Sequence, residues 1–249
     1  MSISTVAIVT GASAGLGQAL ALGLMGPDTH LLTLSRRHDA ALDAHATASG
    51  CTVQQIQVDL SNPAATEVGA EQVIGNLPRS AQRYLLINNA GMVDPVAPTA
   101  QLSSAARITA ALSLNVTSVM LLAAAFLRNT PTGADRRILN ISSGAGRSAM
   151  PGWGVYCASK AALDRYTEVL AAENPTVRTV SLAPGVVNTG MQAHIRASSA
   201  DNFPNVQRFI AMHDEGKLAE PAAVAAKILN YLTSPDFGKT VLDDIRHHD

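Results

Sequence analysis

The stretch from Thr5 to Met25, TVAIVTGASAGLGQALALGLM, decides the fold. Its first five residues are β-branched and apolar without polar alternation, which is typical of a central parallel strand. The glycine-rich segment TGASAGLG follows at positions 10–17, and QALALGLM then favours a helix. A strand, a glycine turn and a helix start in this order predict a dinucleotide site with the pyrophosphate at the helix N-terminus. Ordinary tight turns use the same glycines, so the placement of the motif carries the prediction.

The second predicted strand, HLLTL at 30–34, is followed by Ser35, Arg36 and Arg37. An NAD site would carry Asp or Glu here, on the adenosine ribose hydroxyls. Arg36 can instead hydrogen-bond a 2′-phosphate with its planar guanidinium and stack on the adenine. A solvated pair of loop arginines is the alternative. The missing carboxylate favours NADPH over NADH.

Further strands are predicted at 53–58, 84–87, 138–141, 178–182 and 240–242, with helices between most of them. Asp59, after the third strand, either accepts from an adenine amino group or caps the next helix, as Ser61 also could. Asn88 and Asn89 end the fourth strand, where their amides can bond neighbouring backbone. A long helix is predicted over 104–129. Asn115 lies among its apolar residues, so it needs a polar partner or holds a water beside Lys160.

This alternation predicts a Rossmann-like, doubly wound three-layer α/β/α sandwich with a mostly parallel seven-stranded sheet. At 249 residues the chain suits a single dinucleotide-binding domain over 1–249. The segment 186–218 mixes polar residues with Met and Phe between a strand and the final helix at 221–231. We expect it to form a substrate loop or lid.

The segment 140–160, NISSGAGRSAMPGWGVYCASK, carries the candidate chemistry. Tyr156 and Lys160 stand four residues apart, so they share one face of the predicted helix. A phenol has an ordinary pKa near ~10, and we expect the neighbouring ammonium to lower it. Ser143 lies at a strand end, where its hydroxyl can bond a substrate oxygen. The three predict a proton relay between carbonyl and alcohol, although a solvated helix face and a plain strand terminator fit the same residues.

Composition excludes several classes of function. The hydrophobic fraction is 47%, the charged fraction 15% and the formal net charge −1, so nothing indicates nucleic-acid or anionic-membrane binding. Cys51 and Cys157 have neither disulfide nor metal-ligand spacing. The start MSISTVAIVTG lacks a basic and a long apolar region, and we expect no apolar run of membrane-spanning length. A cytoplasmic protein is expected.

In order along the chain, TGASAGLG, NNAG, Asn115, Ser143, YCASK and PG resemble the short-chain dehydrogenase/reductase family. The resemblance covers essentially the whole chain, and the combination of motifs is highly specific. NISSGAG, GWGVYC and SLAPGVVNTGMQ are similar to the sepiapterin reductase-like branch, and within it to bacterial benzil reductases that form (S)-benzoin. Many NADPH-preferring members carry a basic residue where this chain has Ala14.

The resemblance implies a role for each matching residue. Tyr156 is the general acid, Lys160 lowers its pKa and binds the nicotinamide ribose, Ser143 bonds the carbonyl oxygen, and Asn115 holds a water. The implied cofactor contacts are Thr10, Gly11, Ser13, Gly15, Leu16, Gly17, Ser35, Arg36, Arg37, Asp59, Leu60, Asn89, Ala90, Gly91, Asn115, Tyr156, Lys160, Pro184, Gly185, Val186, Val187 and Thr189. The implied substrate contacts are Ser143, Trp153, Tyr156 and Met191.

We therefore expect an NADPH-dependent carbonyl reductase that acts on a ketone of an aromatic or bulky α-dicarbonyl, of the benzil to (S)-benzoin type. The apolar candidates for the pocket wall are Met92, Val93, Pro95, Met150, Trp153, Met191 and Phe203. A pterin reductase and a non-catalytic NADPH-binding sensor are the alternatives. Alanine-rich helix faces in 104–129 and 155–173, paired in relatives, favour a homodimer. The expected partners are thus a small ketone or diketone and a second copy, without nucleic acid or membrane.

Overall fold

Seven strands form one central sheet in the computed structural model, which describes residues 3–248. They are β1 (Thr5–Thr10), β2 (Thr29–Ser35), β3 (Thr52–Gln57), β4 (Arg83–Asn88), β5 (Asp135–Ile141), β6 (Val177–Ala183) and β7 (Leu242–Asp244). Their spatial order is β3-β2-β1-β4-β5-β6-β7, and every pairing is parallel. The predicted doubly wound class is confirmed, and the sheet is parallel throughout. Because the order reverses between β1 and β4, a crevice opens at their carboxyl ends.

Helices cover both faces of the sheet. They are α1 (Gly15–Leu24), α2 (Ala40–Ser49), α3 (Pro63–Ile74), α4 (Ala105–Leu112), α5 (Ser118–Asn129), α6 (Gly154–Glu173), α7 (Gly190–Arg196), α8 (Val206–Asp214) and α9 (Pro221–Thr233). No local pattern predicts α2, which is capped by Asp39: the Asp39 carboxylate accepts from the N–H of Ala41 at 3.0 Å.

Alternate residues of each central strand enter different cores, which explains the unbroken apolar run of β1. Ala7 and Val9 pack in the cluster that contains residues of α1 and α9, whereas Val6 and Ile8 pack with residues of α3 and α5. All four are at most 1% exposed. Burial of each Val or Ile side chain contributes roughly 1.5–3 kcal/mol, and this apolar packing on two faces fixes the floor of the crevice.

Two predicted element ends are wrong. The last strand lies at Leu242–Asp244 rather than 240–242, because the carboxylate of Asp243 finds partners inside the protein: the Tyr231 hydroxyl donates to it at 2.7 Å. Neither Asp59 nor Ser61 caps α3. The cap is Asn62, whose side chain accepts from the N–H of Ala65 at 3.2 Å, while Asp59 accepts from Ser61.

The predicted helix over 104–129 is one continuous helical segment with a π-helical turn at Ser113–Thr117 between α4 and α5. Residues 105–129 are long and apolar enough to span a membrane, so the expectation that no apolar run reaches that length is wrong. Half of the apolar window is buried inside the protein, where Leu122 and Phe126 of α5 pack on the sheet. This is the position of a core helix.

The segment 186–218 contains α7 and α8 and packs over the carboxyl end of the sheet. Ile195 of α7 and Phe209 of α8 join a third cluster, together with Trp153 and Tyr156 of the α6 region. Trp153 stacks on Phe203 with their ring centroids 4.6 Å apart and their planes at 4°. The segment therefore encloses the crevice on the side of Tyr156.

Candidate active site

The glycine turn between β1 and α1 opens the site. Gly11 and Gly15 have φ angles of +67° and +58°, which other residues rarely adopt. No side chain caps α1, and its first turn contains no acidic residue. Its first N–H groups are thus open to an anion, which the helix dipole also favours.

Thr10 and Asn89 fasten this turn to the end of β4. The Thr10 hydroxyl accepts from the backbone N–H groups of Asn89 and Ala90, both at 2.9 Å, and the Asn89 amide donates to the Thr10 carbonyl at 3.0 Å. A methyl group on Gly17 would come within 2.3 Å of the Gly11 carbonyl oxygen. Only glycine therefore fits at position 17, and Thr10 lies behind the turn rather than at its surface.

Polar residues at the ends of β2 and β3 line the far side of the cavity. The Ser35 hydroxyl accepts from the N–H of Ala12 at 2.9 Å, and Arg36 and Arg37 are exposed beside it. Asp59 also lines the cavity. Hydrogen bonds from Ser61 hold the pKa of the Asp59 carboxyl below its usual value, and the charge of Arg36 adds to that effect.

The relay candidates come together at the other end of the cavity. Tyr156 and Lys160 lie on α6, the Lys160 Nζ 5.8 Å from the centroid of the Tyr156 ring, and Nζ donates to the Ile141 carbonyl at 2.8 Å. Ser143 follows β5, and its hydroxyl oxygen accepts from the N–H of Ala145 at 3.2 Å. All three side chains line the same cavity.

Burial dominates the electrostatics of this group. It raises the pKa of the Tyr156 phenol, a shift that a hydrogen bond from Ser143 opposes. It lowers the pKa of Lys160 to about 8, a shift that the charge of Asp164 opposes. The pKa of Tyr156 is thus raised rather than lowered as expected, because removing both groups from water disfavours their charged forms.

Asn115 lies in the π-helical turn beside this group. Its side-chain oxygen accepts from the N–H of Met92, and its amide donates to the Met92 carbonyl and to the Ser159 hydroxyl, each at 2.9 Å. The polar partners expected for a buried amide are therefore present. A methyl group on Gly91 would lie 3.3 Å from the Asn115 oxygen and 3.6 Å from Lys160 Nζ, so the amide and the ammonium lie close to each other.

The cavity has a volume of about 690 Å³. Of the predicted site residues, Thr10 and Asn115 lie behind its wall and all the others line it. Among the apolar candidates, Met92, Met150, Trp153 and Met191 line it, whereas Val93, Pro95 and Phe203 are buried and do not. The uncapped helix start and the glycine cradle fit a dinucleotide, and among residues 3–248 no group of His, Cys, Asp or Glu could hold a metal ion.

Sequence reasoning missed several residues of the wall. They are Gln192, Ile195, Arg208, Phe209, Asp244 and Arg246. The first four belong to α7 and α8, where no motif marks the residues that face the cavity. Arg246 pairs with Asp244 at 2.6 Å just after β7, and the misplaced β7 concealed that pair.

A parallel doubly wound sheet, a dinucleotide cradle at its switch point and a Ser-Tyr-Lys group beside it define a nicotinamide-dependent oxidoreductase. The family model for short chain dehydrogenases matches residues 5–200. The chain is 37% identical to a benzil reductase ((S)-benzoin forming) of Bacillus cereus over 92% of its length and 94% of that protein. It is 35% identical to the sepiapterin reductase of Bos taurus, with 94% and 91% covered.

A solved structure from Beutenbergia cavernae with NADP bound at low occupancy has a TM-score of 0.80 and 26% identity, covering 98% of this chain and 96% of that one. The chain belongs to the short-chain dehydrogenase family. It is therefore an oxidoreductase of a family that uses NAD(P).

Proposed function

We propose that the protein is an NADPH-dependent carbonyl reductase that acts on one ketone of an aromatic or bulky α-dicarbonyl. The observation that carries this proposal is the meeting of Ser143, Tyr156 and Lys160 on the wall of one largely apolar cavity. A phenol beside a hydroxyl and a buried ammonium suits proton donation to an oxygen on which negative charge develops.

Tyr156 donates its proton to the substrate oxygen, and Ser143 orients that oxygen by a hydrogen bond. Lys160 is anchored on the Ile141 carbonyl, which holds its ammonium beside the Tyr156 ring. A positive charge there opposes the rise that burial causes in the phenol pKa. Asn115 supports Lys160 by holding a water, while its own amide is fixed by Met92 and Ser159. These four residues form the proposed catalytic set.

The glycine turn and the uncapped start of α1 hold the pyrophosphate of the cofactor. Arg36, Ser35 and Arg37 bind the 2′-phosphate, since two arginines rather than a carboxylate directly follow β2. When bound, NADPH supplies the hydride that reduces the carbonyl carbon. The NADP bound in the Beutenbergia cavernae relative supports this choice of cofactor.

The substrate class follows from the wall beside Tyr156. Met92, Met150, Trp153 and Met191 line it, and residues 186–218 act as its lid. Thioether and indole side chains pack well on aromatic rings and offer few partners to a sugar. The benzil reductase of Bacillus cereus, at 37% identity, supports the same class.

A pterin reductase is the second candidate, because the sepiapterin reductase of Bos taurus matches nearly the whole chain at 35% identity. The chemistry would be the same on a different ring. A sensor that binds NADPH without turnover is disfavoured because the catalytic set is complete.

We also propose that residues 1–249 act as one domain in the cytoplasm and pair as a homodimer. Leu112 of α4, Met120 of α5 and Val169 of α6 are large apolar side chains exposed to solvent. A second copy would cover them.

A steady-state panel tests the proposed function. Benzil, its monoketone analogue deoxybenzoin, sepiapterin and simple sugars are each assayed with NADPH and with NADH. We expect the highest kcat/KM for benzil with NADPH. Preference for sepiapterin would favour the pterin alternative. Preference for sugars would reject the substrate class inferred from the apolar wall. Absence of turnover with every carbonyl would favour the sensor.

A further inference from the structure

The catalytic face of α6 extends one turn beyond Lys160. Tyr156, Lys160 and Asp164 follow one another at spacings of four residues, so they form a single stripe along the helix. All three are buried, with Asp164 only 5% exposed. An acidic residue in a core is costly unless it is paired and hydrogen-bonded, and the proposed proton relay gives Asp164 no role.

Asp164 has two partners inside the protein. One oxygen accepts from the Ser181 hydroxyl of β6 at 2.6 Å, and the other accepts from Arg147 Nε at 2.9 Å. The remaining Arg147 nitrogens donate to the backbone carbonyls of Asp243 and Ser181 at 3.0 and 3.1 Å. Arg147 follows the loop that begins at Ser143, so this ion pair ties the loop to α6, β6 and β7.

The same loop packs closely against the backbone of Lys160. A methyl group on Gly146 would come within 2.8 Å of the Lys160 backbone carbon. Among residues 3–248 no carboxylate lies within 4.0 Å of Lys160 Nζ, and its hydrogen-bond partner, the Ile141 carbonyl, is neutral. Asp164 supplies the negative charge that acts on the Lys160 ammonium through space.

We propose that Asp164 and Arg147 are positioning residues whose opposite charges set how readily Lys160 holds its proton, and with it the pH range over which the site works. The proposal rests on the proposed role of Lys160 beside Tyr156. Burial lowers the pKa of Lys160 to about 8, close to working pH, so a modest change in the surrounding charge alters the charged fraction of the ammonium.

The groups that face this cluster come from several elements. They are Tyr156 and Asp164 of α6, Arg147 and Ser143 of the loop after β5, Ser181 of β6, Asn115 of the π-helical turn, and Asp243 of β7. The Asp243 carboxylate is engaged by Tyr231 and His248. Arg147 and Asp164 are therefore the pair whose charge can be changed without touching Tyr156 or Ser143.

The test is a direct titration of Lys160 by NMR in the protein without cofactor or substrate. The chain has four lysines, at 160, 217, 227 and 239, so ¹³Cε-lysine labelling gives a simple spectrum, and Lys160→Arg assigns the signal.

Asp164→Asn should lower the Lys160 pKa by roughly one unit. Arg147→Gln should raise it, and the double variant should return it near the wild-type value. Ser181→Ala, which removes a hydrogen bond to Asp164 but no charge, should change it less than Asp164→Asn.

The sign of the Asp164→Asn shift is decisive. If the substitution merely loosened the packing, water would reach Lys160 and its pKa would rise toward the ordinary value. A rise or no change in Asp164→Asn therefore overturns the proposal. Because this readout needs no turnover, it is independent of the substrate.

In an enzyme that does turn over, the alkaline limb of kcat/KM should shift to lower pH in Asp164→Asn and to higher pH in Arg147→Gln. The contrary outcome is a pH profile that fails to follow the Lys160 pKa in variants whose NMR titrations are as expected. That result would reject the proposed role of Lys160 in turnover, but not the effect of Asp164 and Arg147 on its pKa.

Discussion

Lys160 donates from Nζ to the carbonyl oxygen of Ile141 at 2.8 Å, the last residue of β5. The bond joins the helix that carries Tyr156 to the strand that leads into Ser143. The Tyr156 and Ser143 side chains, which line the same cavity, therefore lie on two elements that this bond holds together. The proposed relay depends on this link between helix and strand as much as on the spacing of four residues along α6.

Tyr156→Phe should lower kcat at least a hundredfold, because general acid catalysis contributes about 10²–10⁴. The phenyl ring keeps its edge contact with Trp153, whose centroid lies 5.4 Å away. NADPH affinity, measured by fluorescence titration, should stay within about threefold. Turnover within tenfold of wild type would remove Tyr156 as the acid.

Arg36→Ala should weaken NADPH binding by about ten- to a hundredfold, the loss typical of one or two hydrogen bonds to a charged group. NADH binding should hardly change, because NADH has no 2′-phosphate. Arg37→Ala is the matched comparison at the neighbouring position. Isothermal titration with both cofactors checks the pair, and equal losses for NADPH and NADH would reject the phosphate role.

Gly17→Ala should impair both folding and cofactor binding, since the new methyl group would lie 2.3 Å from the Gly11 carbonyl and 2.4 Å from the Asn89 amide. Gly133→Ala is the control, because its added methyl group meets nothing within 4 Å. We expect a loss of roughly 1–3 kcal/mol for Gly17→Ala, typical of overpacking. Urea unfolding measures both variants. Equal stability of the two would show that the turn relaxes freely.

Lys160→Met should stabilise the protein while it weakens catalysis. Burial lowers the pKa of Lys160 to about 8, against roughly 10.4 in the unfolded chain. Below pH 8 both states hold the proton, and the folded state bears the full cost of a buried charge. That cost disappears as pH rises through the folded-state pKa and then the unfolded-state pKa. The stability gained by the variant should therefore be greatest near neutral pH and vanish above about pH 10.4.

Calorimetry across this pH range is the measurement for Lys160→Met. We expect a Tm about 2–8 °C higher at pH 7, if roughly 1–2 kcal/mol is gained. A lower Tm at pH 7 would mean that the bond to Ile141 outweighs the cost of the buried charge.

Asp135→Asn should destabilise the amino end of the sheet. Asp135 accepts from Arg83 of β4 at 2.9 Å, from Arg137 at 2.9 Å and from Arg178 of β6 at 2.7 Å, and Arg137 is buried. Burial raises the pKa of the Asp135 carboxyl, but the three guanidiniums outweigh it and hold the pKa far below its usual value. Loss of the carboxylate should cost about 2–4 kcal/mol, because it leaves Arg137 buried with fewer partners.

The contribution of Asp135 has a definite pH dependence. The pKa of this carboxyl is lower in the folded chain than in the unfolded chain, where it is about 3.9. Its contribution to stability is therefore complete above the unfolded pKa and is lost as pH falls through the folded pKa. Wild type and Asp135→Asn should therefore differ at pH 7 and converge in strong acid. Asp236→Asn, a surface position paired with Lys239, serves as control, and an equal loss there would contradict the prediction.

The order of elements and the residues around the cavity could be predicted because they depend on local patterns. The apolar run of β1 and the glycines at 11, 15 and 17 specify strand, turn and helix within one short stretch. Tyr156 and Lys160 share a face because of helix geometry alone. Such features need no knowledge of distant parts of the chain.

What could not be predicted depends on contacts between distant segments. Asp243 can lie in a strand because Tyr231 and His248 hydrogen-bond its carboxylate. No sequence pattern identifies either residue as its partner. The pKa of Tyr156 is raised because cluster residues such as Phe209 exclude water from it, whereas residue spacing showed only the neighbouring ammonium. The mislocated cap of α3 differs in kind: Asn62 was itself a suitable cap, one residue beyond Ser61.

The short strand β7 has a consequence for how the protein is made. It pairs with β6 through three residues, receives Arg147 on the Asp243 carbonyl, and brings Arg246 to the cavity wall. The ribosome adds these residues after every member of the proposed catalytic set has been synthesised. During translation, the polypeptide must therefore carry its reactive residues for some time with that edge of β6 unpaired, a window in which a chaperone or another nascent strand could bind it.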